Sequence, residues 1–260
     1  MGNFLVELAE DARRRVEEGY YTVSGGRTTT RCSVKEAVLS CKHVPVIAEI
    51  KFASPSLGTI RQKENVKEIA IAMERGGAAA LSVLTEPRHF NGSIETLIQV
   101  REAVRLPILM KDIIVNPVQL DAASEIGADC VLLIKRLFDL ELCKFDLHQM
   151  LAYARSKNLE VLLETHTSEE FSAALDVPAD IVGINNRDLS SLKVDIEVTS
   201  GILEEHNSAR KVIISESGIK TAEDIRLLHR LGARGFLVGS EVMYAENVEE
   251  KVRELVMALG

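Results

Sequence analysis

The sequence predicts an α/β protein, a closed (β/α)8 barrel with an N-terminal helical extension, and three observations predict it. Eight short apolar runs recur along the chain, each ending in a charged, amide or small polar residue. Near-continuous apolar runs of this length suit strands buried on both faces of a parallel sheet. Helical patterns separate the runs, which is the alternation of an α/β fold. The length, 260 residues, fits one such barrel with a little left over.

Taken in order, Phe4, Leu5, Leu8, Ala12 and Val16 lie at helical spacing with charges between them, and Ser24-Gly25-Gly26 ends that amphipathic helix. Ser33 is placed to cap a second short helix through Val38-Leu39. Residues 1–42 precede the first strand and read as an extension packed on the barrel, so 1–260 forms a single domain. The strand runs are Val46–Lys51, Ala80–Thr85, Ile108–Asp112, Val131–Lys135, Val161–Glu164, Ile181–Arg187, Val212–Gly218 and Phe236–Ser240. Helical patterns follow at Val66–Arg75, Ile94–Ala103, Pro117–Ile126, Leu140–Ala154, Ser168–Leu175, Val198–Glu205, Ala222–Leu231 and Val248–Leu259. Pro117 opens its helix where a missing N–H costs little. Ser168 stands as an N-cap before Glu169-Glu170, and Thr221-Ala222-Glu223-Asp224 has the form of a capping box. Gly76-Gly77, Gly127 and Gly232 end helices as left-handed caps. An open doubly wound sheet is the alternative, but no G-x-G-x-x-G fingerprint follows the first strand.

The formal net charge is −8 and the pI about 5.4, which disfavours nucleic acid or an anionic membrane as the main partner. No apolar stretch approaches a membrane span. The charged N-terminus is no signal peptide. Cys32, Cys41, Cys130 and Cys143 show no C-x-x-C spacing, and Cys130 reads as a buried reduced thiol. A cytoplasmic protein is expected. The six histidines form no metal-binding pair, so no metal is expected.

Parallel strands closed into a barrel bring all their C-terminal ends to one mouth, where such barrels carry their chemistry. Lys51 and Lys111 end the first and third strands, and Glu49, Glu164 and Glu216 the first, fifth and seventh. Acids and bases converging in a partly dry pocket hold one another charged or push their pKa values apart. Asn185 and Arg187 after the sixth strand add an amide and a fixed cation suited to a carboxylate. Ser217-Gly218 and Gly239-Ser240 end strands seven and eight, and Glu241–Tyr244 reads as one short helical turn. Those loops and a short extra helix are where such barrels bind phosphate, and glycines let backbone N–H groups approach an anion. The set fits acid–base catalysis on a phosphorylated, carboxylate-bearing substrate. No serine or cysteine here is paired with a histidine, which disfavours acyl transfer, whereas a Schiff base on either lysine stays open.

The motifs are specific. Ala48-Glu49-Ile50-Lys51 through Ser54-Pro55-Ser56 and Gly58 matches the pattern E-x-K-x-x-S-P-S. Ser82-Val83-Leu84-Thr85 with Phe90-Asn91-Gly92-Ser93, Leu109-Met110-Lys111-Asp112, Leu163-Glu164, Gly183–Leu189 and Ser215–Ile219 follow in register. From about Val44 to Met243 the chain closely resembles the indole-3-glycerol-phosphate synthase family. The resemblance implies a TIM barrel that cyclises 1-(2-carboxyphenylamino)-1-deoxyribulose 5-phosphate with loss of carbon dioxide and water, in tryptophan biosynthesis, with no cofactor or metal. It implies that Lys111 is the general acid on the ketone and Glu164 the acid–base partner in the dehydration. Lys51 would hold substrate anions and share the acid role. Glu49 and Glu216 would orient the lysines and the sugar hydroxyls. Asn185 and Arg187 would position the intermediate, with Ser54 and Ser56 in the first loop. Phe90 and Leu189 would form apolar walls, and Ser217, Gly218, Gly239 and Ser240 would cradle the phosphate.

Three positions depart from the family pattern. Phe52 stands where Arg or Cys is common, and Ile113 where an aromatic is usual. Lys135-Arg136 replaces small apolar residues, and Lys135 reads as a rim charge. Two other readings compete. A phosphate-binding sugar isomerase would share the last two loops but has no need of Lys51, Lys111 and Ser54-Pro55-Ser56 together. A barrel kept only for binding would have lost an acid or a base, and none is missing.

Overall fold

The computed structural model describes residues 4–23, 32–189, 191–206 and 211–260; the Ser24-Gly25-Gly26 break falls outside the described residues. Eight parallel strands close into a barrel: β1 (Val46–Ile50), β2 (Ala80–Leu84), β3 (Ile108–Lys111), β4 (Cys130–Ile134), β5 (Glu160–Thr165), β6 (Ile181–Asn185), β7 (Val212–Glu216) and β8 (Gly235–Val238). Neighbours around the barrel are neighbours in sequence, and closure comes from β1 pairing with β8, Ile47 lying opposite Leu237. This is the (β/α)8 TIM barrel expected from the apolar runs.

The alternation of strand side chains divides the core in two. Ile50, Val83, Met110, Leu133, Leu163, Ile184 and Phe236 face outward into a layer shared with the helices. Ile47, Ala80, Leu109, Cys130, Leu132, Leu162, Ile181, Ile214 and Leu237 fill the barrel interior. Cys130 is a free, fully buried thiol, and burial pushes its pKa up.

The extension closes both ends of that interior. Leu5, Leu8, Ala9 and Ala12 of α1 (Phe4–Glu17) and Val34 and Val38 of α2 (Val34–Ser40) belong to the same interior cluster. At the N-terminal end of the strands, the Glu160 carboxylate that opens β5 accepts from the Ser33 hydroxyl and from the Val34 N–H at 2.7 Å. Ser33 also caps α2 as expected, accepting from the Glu36 N–H. At the C-terminal mouth, α1 sends buried Arg15 to Glu86 (2.9 Å) and Asp112 (3.3 Å), just after β2 and β3. Asp112 also accepts from Thr85 (2.6 Å) and Tyr21 (3.1 Å), and the Glu86 carboxylate caps the short helix Pro87–Phe90. Burial raises the Asp112 pKa despite Arg15, so this aspartate depends on its partners to stay charged.

The helices match the sequence patterns closely, with four differences. Thr167, not Ser168, caps the helix Ser168–Leu175: its hydroxyl accepts from the Glu170 N–H and Ser168 is already helical. The expected Leu140–Ala154 helix starts only at Leu147 and runs to Ser156, because Glu141 turns left-handed (φ +54°) and Asp146 opens the helix with a capping box to Gln149; a separate short helix, Lys135–Asp139, precedes it. Pro117 lies one place earlier than expected, capping Val118–Glu125. The last helix ends at Val256 rather than Leu259. The Thr221–Asp224 capping box is present, and Gly77, Gly127 and Gly232 have φ of +94°, +90° and +117°.

Arg15→Ala leaves two buried carboxylates facing each other without their cation. The expected cost is about 3 kcal/mol in urea unfolding. A loss below about 1 kcal/mol would show that α1 is held by Leu5, Leu8, Ala9 and Ala12 and by the pairing of Asp11 with Arg88 and His89, without need of Arg15.

Candidate active site

Strand register sets the inward side chains near the mouth: Glu49 and Ser82 lie opposite each other on β1 and β2, as do Asn185 and Glu216 on β6 and β7. Lys111, the last residue of β3, reaches across to three carboxylates. Its Nζ lies 2.8 Å from Glu216, 3.4 Å from Glu49 and 4.0 Å from Glu164. Lys51 pairs with the other oxygen of Glu49 at 2.9 Å. Two glycines make the room. A Cβ at Gly183 would stand 2.1 Å from Glu216 Oε1, and one at Gly239 would stand 2.5 Å from Glu49 Oε1.

The carboxylates are buried and Lys111 nearly so, and the pKa values of Lys111, Glu49 and Glu164 reflect burial against their partners. Burial alone would lower Lys111, but Glu216, Glu49 and Glu164 outweigh it and hold the ammonium well above its ordinary value. Burial alone would raise Glu49, but Lys51 and Lys111 bring it down to about 2. Glu164 goes the other way: burial first, then the charge of Glu216, lift it to about 7 against Lys111 and a hydrogen bond from Asn185. One carboxylate fixed as an anion beside one that exchanges a proton near neutrality is a pairing suited to acid–base work.

Two adjoining cavities and a third beside them run across the mouth. The largest, about 660 Å³, is lined on one side by Ser217, Gly218, Gly239 and Ser240, and on the other by Lys51, Ser56 and Arg187. The second holds Lys111, Ser54 and Asn185 among apolar walls from Phe90, Ile113 and Leu189. The third reaches Glu164 from the β4–β6 side. Arg187 borders all three, and its guanidinium donates to Ser56 at 2.8 Å and to the Leu192 carbonyl at 3.0 Å. Ser240 starts the short helix Ser240–Tyr244. Ser217 and Gly218 both have positive φ, +67° and +79°.

The architecture recurs in thiamine phosphate pyrophosphorylase from Pyrococcus furiosus, with a TM-score of 0.60 over 85% of this chain and all of that one, at 22% identity. That likeness is one of fold. The family model for indole-3-glycerol phosphate synthase matches residues 8–255. The chain belongs to the indole-3-glycerol-phosphate synthase family. Relatives named indole-3-glycerol phosphate synthase include the Methanocaldococcus jannaschii protein, 46% identical over 86% of this chain and 83% of its own. The Oceanobacillus iheyensis protein is 40% identical over 90% and 88%, and that of Staphylococcus haemolyticus 35% identical over 96% of each. Membership in the synthase family makes this chain a carboxy-lyase of tryptophan biosynthesis.

Of the residues expected in the synthase site, Glu49, Lys51, Ser54, Ser56, Phe90, Lys111, Glu164, Asn185, Arg187, Leu189, Ser217, Gly218, Gly239 and Ser240 all border the cavities. Glu216 does not. It is fully buried, and its Oε2 accepts from Lys111 at 2.8 Å. Gly239 serves Glu49 by leaving space for its carboxylate, a role the strand-end pattern did not reveal. Phe52 is buried in the outer core, away from the mouth, and Lys135 pairs with Asp139 one helical turn on. Ile113 supplies an aliphatic wall where an aromatic was usual. Sequence reading missed α1: Leu8 borders the second cavity and Leu5 the third. Their helical spacing marked a buried face but not what it covers. A trio of Glu7, Asp11 and His89 has ligand atoms within 4.8 Å of one another, but Asp11 is already bound by Arg88 and His89.

The Glu164 pKa has a stability consequence with a definite sign. Between about 4.5 and about 7 the folded protein keeps a proton that the unfolded chain has released, so stability falls as pH rises through that window. Glu164→Gln should flatten this fall and be the more stable protein at about pH 8, as read by denaturant midpoints at about pH 5 and 8. A variant less stable at the higher pH would show that the pairing with Lys111 outweighs burial.

Proposed function

We propose that this mouth converts 1-(2-carboxyphenylamino)-1-deoxyribulose 5-phosphate to indole-3-glycerol phosphate with its own side chains as acid and base, without metal or cofactor. The observation that carries the reading is the Lys111–carboxylate cluster beside the cavity lined by Ser217, Gly218, Gly239 and Ser240.

The phosphate occupies that cavity, where Ser217 and Ser240 bring hydroxyls and the turns after β7 and β8 bring backbone N–H groups. The aryl ring lies in the second cavity against Phe90, Ile113 and Leu189, with its carboxylate toward Lys51 and Arg187. Ring closure forms a bond from the carboxylate-bearing aromatic carbon to the ketone carbon. Lys111 delivers the proton to the ketone oxygen as the negative charge develops there. Loss of carbon dioxide restores the aromatic ring. The new hydroxyl takes a proton from Lys51 and leaves as water, Glu164 takes the proton that the adjacent carbon gives up, and exchange with solvent resets Lys111, Lys51 and Glu164.

Three carboxylates hold the proton on Lys111 tightly, which weakens it as an acid. Protonation of Glu164 removes one of them, so an aryl–ketone complex formed with neutral Glu164 has the more willing donor. Lys51 answers to Glu49 alone among the described residues, which supports a share in the acid role. The substrate is a small phosphorylated acid. Among the described residues no helix is long and apolar enough to cross a membrane, and the free thiols suit a reducing cytoplasm.

Purified protein assayed by indole fluorescence with the carboxyphenylamino substrate tests the activity. Lys111→Ala should lower turnover by ~10²–10⁴-fold, the usual worth of an acid–base group. A loss under about tenfold, with a larger one in Lys51→Ala, would transfer the acid role to Lys51. Because Glu164 works as a carboxylate in the dehydration, turnover limited by that step should rise with pH through about 7 and then level. Glu164→Gln should lose that limb. A limb near 7 that persists in the variant belongs to another group.

A further inference from the structure

Where β6 and β7 meet the helix Glu197–Glu205, the outer layer is interrupted by a polar knot. Asn186, Thr199 and Ser215 are all fully buried there. The Asn186 amide donates to the Ser217 carbonyl at 2.9 Å and to the Ser215 hydroxyl at 3.2 Å. Its oxygen accepts from the Thr199 N–H at 3.0 Å and the Thr199 hydroxyl at 2.7 Å. Both donors and both acceptor positions of the side chain are therefore used, in a place where apolar packing would serve the fold equally well.

The contact to Ser217 explains the expense. Ser217 is a residue with a side chain at φ +67°, followed by Gly218 at φ +79°, and a left-handed serine persists only where its surroundings hold it. The peptide after Ser217 is trans. In a planar trans peptide the carbonyl and the next N–H point in opposite directions. With the Ser217 carbonyl tied to Asn186 on the helix side, the Gly218 N–H turns away from the helix, and Gly218 borders the large cavity.

We propose that Asn186 is a positioning residue for anion binding: by fixing the Ser217 carbonyl it aims the Gly218 N–H at the phosphate of the substrate. The inference rests on the reading that this cavity takes the phosphate. Asn186 does not border any of the three mouth cavities, and its side chain reaches the large cavity through the Ser217–Gly218 turn.

The test measures inhibition by inorganic phosphate together with KM and kcat. Asn186→Ala should weaken phosphate inhibition and raise KM by about tenfold, with kcat within about threefold. The same change made in a Ser217→Gly background should cost about threefold or less, because glycine adopts the left-handed turn without support. A merely structural role gives equal losses in both backgrounds, and that result would overturn the proposal. So would a fall in kcat with phosphate inhibition unchanged. If Asn186→Ala does not fold, Thr199→Val removes one anchor of the amide and should weaken phosphate inhibition in the same direction, again less in the Ser217→Gly background; no change in a folded Thr199→Val would count against the proposal. Failure of phosphate to compete in the unmodified protein would remove the phosphate placement itself, and this inference with it. Competition there with no change in Asn186→Ala would overturn the positioning role alone.

Discussion

A charge can be dry inside a protein only if another charge stands beside it, and the mouth of this barrel is organised around that constraint. Lys111 satisfies it for three carboxylates at once, and Lys51 completes the set at Glu49. The cluster in turn dictates backbone: Gly183 and Gly239 are glycines because Glu216 and Glu49 occupy the space where their side chains would be. It also dictates chemistry. With two cations for three anions, one carboxylate is left under-compensated, and Glu164 is the one that burial and Glu216 push toward neutrality.

A second ionic knot, Arg15 with Glu86 and Asp112, performs the same balancing for structure rather than catalysis. It ties α1 to the ends of β2 and β3, so the helix that covers the mouth is anchored one residue from Lys111. Leu5 and Leu8 then face the cavities from above. The apolar wall of the site is thus built partly from the extension and partly from the barrel, and the buried Arg15 guanidinium, together with the pairing of Asp11 to Arg88 and His89, registers the two parts to each other.

Much of this was legible in the sequence for a physical reason. Doubly buried parallel strands leave unbroken apolar runs, and a polar residue at the end of such a run has few explanations besides a shared site. That reasoning located Glu49, Lys51, Lys111, Glu164, Asn185 and the glycine turns without coordinates. It failed where the cause lies across the fold. Nothing local distinguishes Glu216, sealed behind Lys111, from Glu164, open to a cavity. Arg15 reads as one more charge on an amphipathic helix until Asp112, 97 residues away, is brought beside it. Asn186 looks like a repetition of Asn185, yet strand alternation sends the two amides to opposite faces of the sheet. The early start expected for the Leu140–Ala154 helix failed for a local reason: Glu141 adopts a conformation that its residue type does not announce.

The closure of the barrel has a kinetic side. β1 completes its pairing with β8, so Val46 must wait for Phe236. Until the last strand is in place, β1 and β7 both present unpaired edges, and the interior is open along its whole length. Contacts this far apart in sequence are slow to form because the intervening chain must be ordered first. During synthesis the edge of β1 that β8 will cover therefore stays unpaired until nearly all of the chain has been made, the condition under which partly folded chains aggregate.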